Sequence, residues 1–319
     1  MNNIPTIVYH YCSLESFLSI IKSGTIRLSN ISKSNDTDEI KYCFDAFQKT
    51  LKYSCLLYSR QHITDKEQQK FFNEIDYDSL VTRAVINDSL VYYTACFSTE
   101  SDLLSQWRGY ANDGKGVAIG FYTHDFFKAN ELKNLKFDKI TYNMSVEQDK
   151  LKKYVINNLN AASLKTTNEN FISVYMNAIN DVISGMVYKA VFNKNPAFQE
   201  ENEWRLVFYP FGNIRNLSIT HKSKDLSANQ LFYDRMLEPI EYEREYNGLI
   251  RGKLQFRCTD NKIISYIDVD FNNIKDRILA EIVIEPKANI DDKDLRLFLL
   301  SNGFDLSKIN IKKSRATYQ

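Results

Sequence analysis

The sequence contains few of the residues that interrupt secondary structure or cross-link a chain: ten Gly, five Pro and five Cys among 319 residues. Such low Gly and Pro counts argue against collagen-like, repeat and glycine-loop architectures. The cysteines are odd in number, widely spaced and never in a Cys-x-x-Cys pair, so we expect neither a disulfide framework nor a metal site.

An excess of charge and long apolar runs are absent too. Lys and Arg number 41 against 40 Asp and Glu, a net charge of +1, so no global field draws the chain to nucleic acid or anionic lipid. No apolar run approaches the roughly 18 residues that cross a bilayer, and Met1–Tyr11 lacks the features of a secretory signal. We therefore expect a soluble cytoplasmic protein without a membrane partner.

The chain has the composition of a globular protein, with 44% hydrophobic and 25% charged residues. Strand-like and helix-like segments alternate along it, which predicts a mixed α/β fold. Residues 145–159 and 168–191 have helical periodicity and interrupt the strands, which indicates a helical insertion at about 144–195. No Pro/Gly/Ser linker divides the chain, so we expect a single domain over residues 1–319.

Residues 109–115 (GYANDGK) have the spacing of a phosphate-binding loop, but two features argue against that function. Gly116 stands where Ser or Thr would hold magnesium. A helix is predicted before the segment and a strand after it, the reverse of the order that such a loop needs. We interpret the segment as a turn.

Residues 200–208 (EENEWRLVF) are predicted to form a strand with one apolar and one charged face. The charged face carries Glu201, Glu203 and Arg205. On a surface strand they would form an ordinary solvated face. A carboxylate beside Arg is equally suited to hold a sugar hydroxyl or stabilise a developing cation.

His10 lies at a predicted strand-to-helix junction and is one of only four histidines. A lone His is more often a hydrogen-bonded structural residue than a catalytic one, and both roles stay open here. His62, His124 and His221 lie in polar segments and are interpreted as surface residues.

Residues 9–14 (YHYCSL) and 20–26 (IIKSGTI) resemble the opening strand and helix of the ADP-ribosyltransferase superfamily. Later segments resemble, in order and spacing, an uncharacterised bacterial domain family near that superfamily. These segments are Asn35-Asp36, Cys96-Phe97-Ser98, Leu104–Ala111 with Gly116-Val117, and Glu201–Arg205. The resemblance implies an ADP-ribosyltransferase-like mixed sheet and the His-Tyr-Glu type of site, since the Ser-Thr-Ser motif of the arginine-modifying type is absent.

By that resemblance, His10 would bind the ribose of NAD, and Glu203, with Glu201 as the alternative, would be the catalytic carboxylate. The carboxylate would hold the ribose 2'-hydroxyl and stabilise an oxocarbenium-like state while an aromatic side chain stacks on nicotinamide. The positions implied in NAD binding are His10, Tyr11, Ser13, Asn35, Ser98, Trp107, Arg108, Tyr110 and Arg205. For Trp107 a core role, and for Asp36 a helix-capping role, are the alternatives.

The leading functional hypothesis is therefore transfer of ADP-ribose from NAD to a macromolecule, or hydrolysis of NAD, in the manner of a bacterial toxin or antiphage effector. A related RNA-phosphate transferase and a catalytically silent nucleotide- or nucleic-acid-binding module are the alternatives. A nucleic-acid acceptor would need a local basic cluster, either in the tail (Lys308, Lys312, Lys313, Arg315) or at Arg251, Lys253 and Arg257. The tail is otherwise an ordinary solvated end.

Overall fold

The structure is a computed structural model, and it describes residues 4–31, 37–88, 92–131, 135–208, 248–259, 261–285 and 287–316. These residues form helices and one mixed sheet, which confirms the predicted α/β class. None of the helices in these ranges is long and apolar enough to cross a bilayer.

The described ranges contain ten strands. They are β1 Ile7–Cys12, β2 Thr25–Asn30, β3 Tyr93–Ser98, β4 Val117–Tyr122, β5 Leu135–Lys139, β6 Glu203–Phe208, β7 Ile250–Thr259, β8 Lys262–Asp270, β9 Leu279–Ile284 and β10 Asn310–Lys313.

The same ranges contain ten α-helices. They are α1 Leu14–Ser23, α2 Thr37–His62, α3 Lys66–Glu74, α4 Tyr77–Asp88, α5 Leu104–Tyr110, α6 His124–Lys128, α7 Met144–Ser163, α8 Phe171–Ala190, α9 Lys275–Ile278 and α10 Asp292–Ser301.

The first helix shows how closely local sequence signals govern the fold. The Ser13 side chain accepts the backbone N–H of Ser16 and caps α1, which then buries Phe17 and Ile21 against the sheet. Gly24 ends the helix in the left-handed region, at φ 66°, and donates its N–H to the Ile20 carbonyl. Ser and Gly are the residue types favoured at these two capping positions, so the local sequence accounts for both ends of the helix.

The sheet forks at β3. One edge of β3 pairs along its whole length with β6, whereas the other edge pairs with β1 at Ser98 and with β2 at Tyr93 and Thr94. One arm of the fork continues from β1 to β4, β9 and β10, and the other from β2 to β8 and β7. A gap between β1 and β2 therefore lies beside residues 95–97.

Two hydrophobic cores lie on either side of this sheet. The first packs α1 and the sheet around residues such as Phe97, Phe121 and Trp204. The second joins α2, α7 and α8, and the latter two are the helices predicted between residues 144 and 195. Because this second core covers β6, all six residues of the strand are buried, and the solvated face considered for β6 does not exist.

The remaining expectations concern the tail, three histidines, a strand and a turn. The basic tail is solvated as expected, because Lys312, Lys313 and Arg315 are exposed, but it also forms β10, which pairs with β9, and Lys312 Nζ lies 2.8 Å from Glu281 Oε2. His62 and His124 are exposed as predicted, while His221 and residues 240–246, whose sequence has the pattern of a strand, lie outside the described ranges. The turn at residues 111–115 follows α5 and precedes β4, in the predicted order.

Candidate functional site

A small cavity lies beside the fork of the sheet. It has a volume of about 50 Å³, which is room for a few water molecules. Its walls come from β1, β3, α5, β6 and the 3₁₀ helix Pro196–Glu201. The lining residues are His10, Tyr11, Cys96, Phe97, Gln106, Tyr110, Glu201 and Glu203. His10, Tyr11, Tyr110, Glu201 and Glu203, singled out in the sequence over a span of almost 200 residues, are therefore brought together.

The floor of the cavity is a cluster of buried charges. Lys194 Nζ lies 2.7 Å from Glu201 Oε2 and 3.1 Å from Glu203 Oε2. On the other side of Glu203, Arg205 donates from Nε to Oε1 and from Nη2 to Oε2, at 2.5 and 3.3 Å. No member of this cluster is more than 8% exposed, so two carboxylates and two cations neutralise one another inside the protein.

The cations decide the charge state of Glu203. Burial by itself would raise the pKa of this carboxyl group, but the charges of Arg205 and Lys194 outweigh burial and lower the pKa to about 2. A hydrogen bond from the Cys96 thiol adds to the lowering. Glu203 is therefore ionised at physiological pH and suits an electrostatic role rather than proton transfer.

A left-handed residue allows both glutamates to reach Lys194. Asn202 has φ 43° and lies between the 3₁₀ helix, which ends at Glu201, and β6, which begins at Glu203. Asn tolerates this region better than most residues. The predicted strand alternation through Glu201 is wrong, since Glu201 belongs to the helix, but the turn still directs both carboxylates to one ammonium group.

His10 closes the gap between the two arms of the sheet. Its Nδ1 lies 2.9 Å from the Cys96 carbonyl oxygen, at the stretch of β3 that has no strand partner on that edge. Burial lowers the pKa of His10, and the hydrogen bond to Cys96 opposes that shift only in part. A neutral imidazole that donates from Nδ1 has Nε2 as a hydrogen-bond acceptor.

The strand register alone would place the side chains of His10 and Glu203 on opposite faces of the sheet. Tyr9, Ser98 and Glu203 are paired across three strands and share one face, so the adjacent His10 belongs to the other face. The two side chains nevertheless line one cavity because β1 pairs with β3 only at Tyr9 and separates from it beyond that residue. The fork therefore creates the site.

Tyr11 lines the cavity and Trp107 packs against it, and the polar groups of both side chains form hydrogen bonds within the protein. The Tyr11 hydroxyl donates to the Glu100 carbonyl and accepts the N–H of Leu103, at 2.6 and 3.0 Å. Trp107 is fully buried edge-to-face against Tyr11 and donates from Nε1 to Asp102. The core role considered for Trp107 is the one that its position favours.

The outer wall is the last part of α5. Tyr110 is 44% exposed, so it is the lining aromatic residue that a ligand reaches most readily from solvent. Gln106, one turn earlier, is buried. Gln106, Cys96 and Lys194 were not predicted as members of the site. Cys96 lies in a segment that carries the resemblance, and Gln106 lies one turn ahead of Tyr110 on the same helical face, whereas Lys194 has no such signal.

Four other predicted site residues do not line the cavity. Ser13 caps α1, and the Ser98 hydroxyl donates to the Glu201 carbonyl at 2.6 Å. Arg205 is 1% exposed and also donates to the Val191 carbonyl, which favours a structural role over the implied role in NAD binding. Arg108 is exposed outside the cavity lining. Asn35 lies outside the described residues.

Residues 106–206 match a family model. It is described as Protein of unknown function (DUF2971). The matched segment begins at Gln106 and contains Tyr110, Glu201 and Glu203, so it spans one side of the cavity, while His10 lies outside it. No curated protein and no solved structure matches the chain.

Proposed function

We propose that this protein cleaves the nicotinamide–ribose bond of NAD, either transferring ADP-ribose to a macromolecule or hydrolysing NAD. The observation that carries the proposal is the convergence of His10, Glu203 and Tyr110 on one cavity. These residues supply a neutral hydrogen-bond acceptor, a permanently ionised carboxylate and a solvent-accessible aromatic ring. The combination suits a reaction in which a ribose gains positive charge as a flat, neutral leaving group departs.

Each residue has a separate task in the proposed reaction. Glu203 accepts the ribose 2'-hydroxyl and opposes the positive charge that develops on the ring. His10 Nε2 accepts a second hydroxyl, and its Nδ1–H stays on the Cys96 carbonyl, which fixes the imidazole ring. Tyr110 packs against nicotinamide. Because the cavity holds only a few waters, Tyr110 must move outward to admit the substrate.

A catalytically silent nucleotide-binding module is the second candidate, and one observation favours it. Lys194 and Arg205 already neutralise the two glutamates, which reduces the field that Glu203 can exert on a cation. In such a module the same residues recognise a ribose without breaking its bond to the base. The two candidates differ in turnover and not in binding.

Labelled NAD, incubated with the protein alone and with cell extract, separates these functions. Transfer of label to protein or nucleic acid indicates a transferase, and free nicotinamide without transfer indicates a glycohydrolase. Saturable NAD binding without turnover indicates the silent module. The absence of both binding and turnover contradicts the NAD site altogether.

Two variants connect any turnover to the cavity. Glu203→Gln should lower turnover by about 10²-fold or more, as expected for loss of an electrostatic stabiliser. Glu203→Gln also weakens the compensation of two buried cations, so we expect the variant to be less stable than the wild type. Tyr110→Ala alters an exposed side chain and should raise KM without unfolding the protein. Glu147→Gln and Tyr122→Ala, at a buried and an exposed position outside the cavity, are the matched controls.

A further inference from the structure

The hairpin of β7 and β8 extends beyond the sheet's core and carries an unusual surface. Near its base, Leu254 and Ile267 pack into the first core. Towards its tip, Phe256 is 61% and Ile263 is 77% exposed, on the same face as Leu254 and Ile267. Apolar side chains of this size are therefore presented to solvent at the end of the hairpin.

Positive charge accompanies this apolar surface. In the sequence, residues 251–263 contain four basic residues and one acid, Asp260, although the whole chain has a net charge of only +1. Lys253, Arg257 and Lys262 are exposed, and none of the three forms an ion pair within the described residues. Thr259 lies two residues after Arg257, so both side chains lie on the same face of β7, and Thr259 pairs with Lys262 of β8. Arg257 and Lys262 therefore share one face of the hairpin, and Phe256 lies on the other.

The face that carries these cations is rigid where it joins the sheet. Arg27 lies over the Tyr266 ring, 3.9 Å from its centroid, and forms an ion pair with Asp268. The Tyr266 hydroxyl donates to Gln255, which donates in turn to Asp268. This network fixes the base of the hairpin and leaves the cations at its tip available to a partner.

We propose that the tip of this hairpin binds single-stranded nucleic acid. Exposed cations on one face of an edge strand and an exposed aromatic ring on its other face can hold an unpaired strand from both sides, since the cations contact phosphates and the ring stacks on a base. Within the described residues β7 is the edge strand of its arm. A single strand of nucleic acid that lies along this edge would contact Arg257 on one face of the sheet and Phe256 on the other. The surface is independent of the NAD site, so its test needs no turnover.

The test is the affinity of the protein for a fluorescein-labelled 20-nucleotide RNA and for the DNA of the same sequence, measured between 50 and 200 mM salt. Arg257→Glu with Lys262→Glu should weaken binding about tenfold or more and flatten the salt slope by roughly 1.4, the value for two lost phosphate contacts on a single strand. Phe256→Ala should weaken binding about fivefold or more and leave the slope unchanged, because stacking releases no counterions.

Lys153→Glu and Tyr53→Ala are the matched controls, because both change exposed side chains on helices away from the hairpin and should bind like the wild type. Cys258 gives a second readout. It is the exposed member of the five cysteines, so a thiol-linked photo-crosslinker attached there should capture the bound oligonucleotide. The RNA and DNA arms then identify which of the two nucleic acids the hairpin prefers.

Three results would overturn the proposal. The first is no binding of either oligonucleotide at 50 mM salt, and the second is binding that the hairpin variants do not weaken. The third is binding of the protein to vesicles that contain anionic lipid, if Phe256→Ala abolishes this binding and the protein has no affinity for the oligonucleotides.

Discussion

At the scale of single residues, the site depends on how buried charges are compensated. Glu203 is held by an ammonium group and a guanidinium group, and the guanidinium group is itself fixed by the Val191 carbonyl. A sequence shows that carboxylates and an Arg occur together but not that they are buried. Lys194 could not be predicted, because nothing in residues 193–196 (NKNP) indicates that this side chain lies between two glutamates.

The lowered pKa of Glu203 predicts a loss of stability in acid. Glu203 is ionised in the folded protein down to about pH 2, whereas the unfolded chain takes up its proton near pH 4.5. The stabilisation is therefore complete above pH 4.5 and is lost as the pH falls from there to 2, by on the order of 3 kcal/mol. Denaturant unfolding of wild type and Glu203→Gln at pH 6 and pH 3 measures the part of this loss that occurs above pH 3, on the order of 2 kcal/mol. An equal acid-induced loss in both proteins would contradict it.

At the scale of elements, local signals predict most of the structure, and the fork is the feature they do not reveal. Capping residues and helical periodicity predict α1, and the mostly apolar run at residues 279–284 predicts β9. No local signal shows that β3 is shared by β1, β2 and β6, because pairing between distant strands is a tertiary property. The cavity depends on that fork, so sequence reasoning could name His10 and Glu203 but not the geometry that joins them.

Asn202 tests the junction between the 3₁₀ helix and β6. A β-branched side chain is strongly disfavoured at φ 43°, whereas glycine adopts that angle freely. We expect Asn202→Val to lower the free energy of unfolding by about 1–3 kcal/mol and Asn202→Gly to lower it less. Thermal or denaturant unfolding of the two variants measures the difference. Equal stabilities would mean that this turn is not what aligns Glu201 with Glu203.

At the scale of the whole molecule, the C-terminal segment contributes to the wall of the cavity. Ser314 Oγ and the backbone N–H of Arg315 both donate to Asp102, at 2.5 and 2.7 Å, and Asp102 also accepts Trp107 Nε1. Trp107 belongs to α5, which carries Gln106 and Tyr110. Hydrogen bonds thus join residues more than 200 positions apart at the entrance to the site. The basic composition of the tail does not predict these contacts.

Deleting residues 314–319 should therefore loosen α5. The deletion removes two hydrogen bonds to an ionised carboxylate, each worth about 1.5–3 kcal/mol, so amide hydrogen exchange should accelerate over residues 99–110. Arg315→Ala is the control, because the contact with Asp102 is made by the backbone and survives the change. Unaltered exchange after the deletion would show that the segment does not support the wall.

The proposed function requires Glu203, His10 and Tyr110 to bind the ribose–nicotinamide end of NAD together. This binding can be seen in a crystal structure of the protein with a non-cleavable NAD analogue. We expect the ribose 2'-hydroxyl at hydrogen-bond distance, about 2.5–3.0 Å, from the Glu203 carboxylate, with the nicotinamide ring against Tyr110. An analogue bound elsewhere on the protein, or a Glu203 that stays enclosed by Lys194 and Arg205 with no ligand beside it at saturating concentration, would contradict the claim.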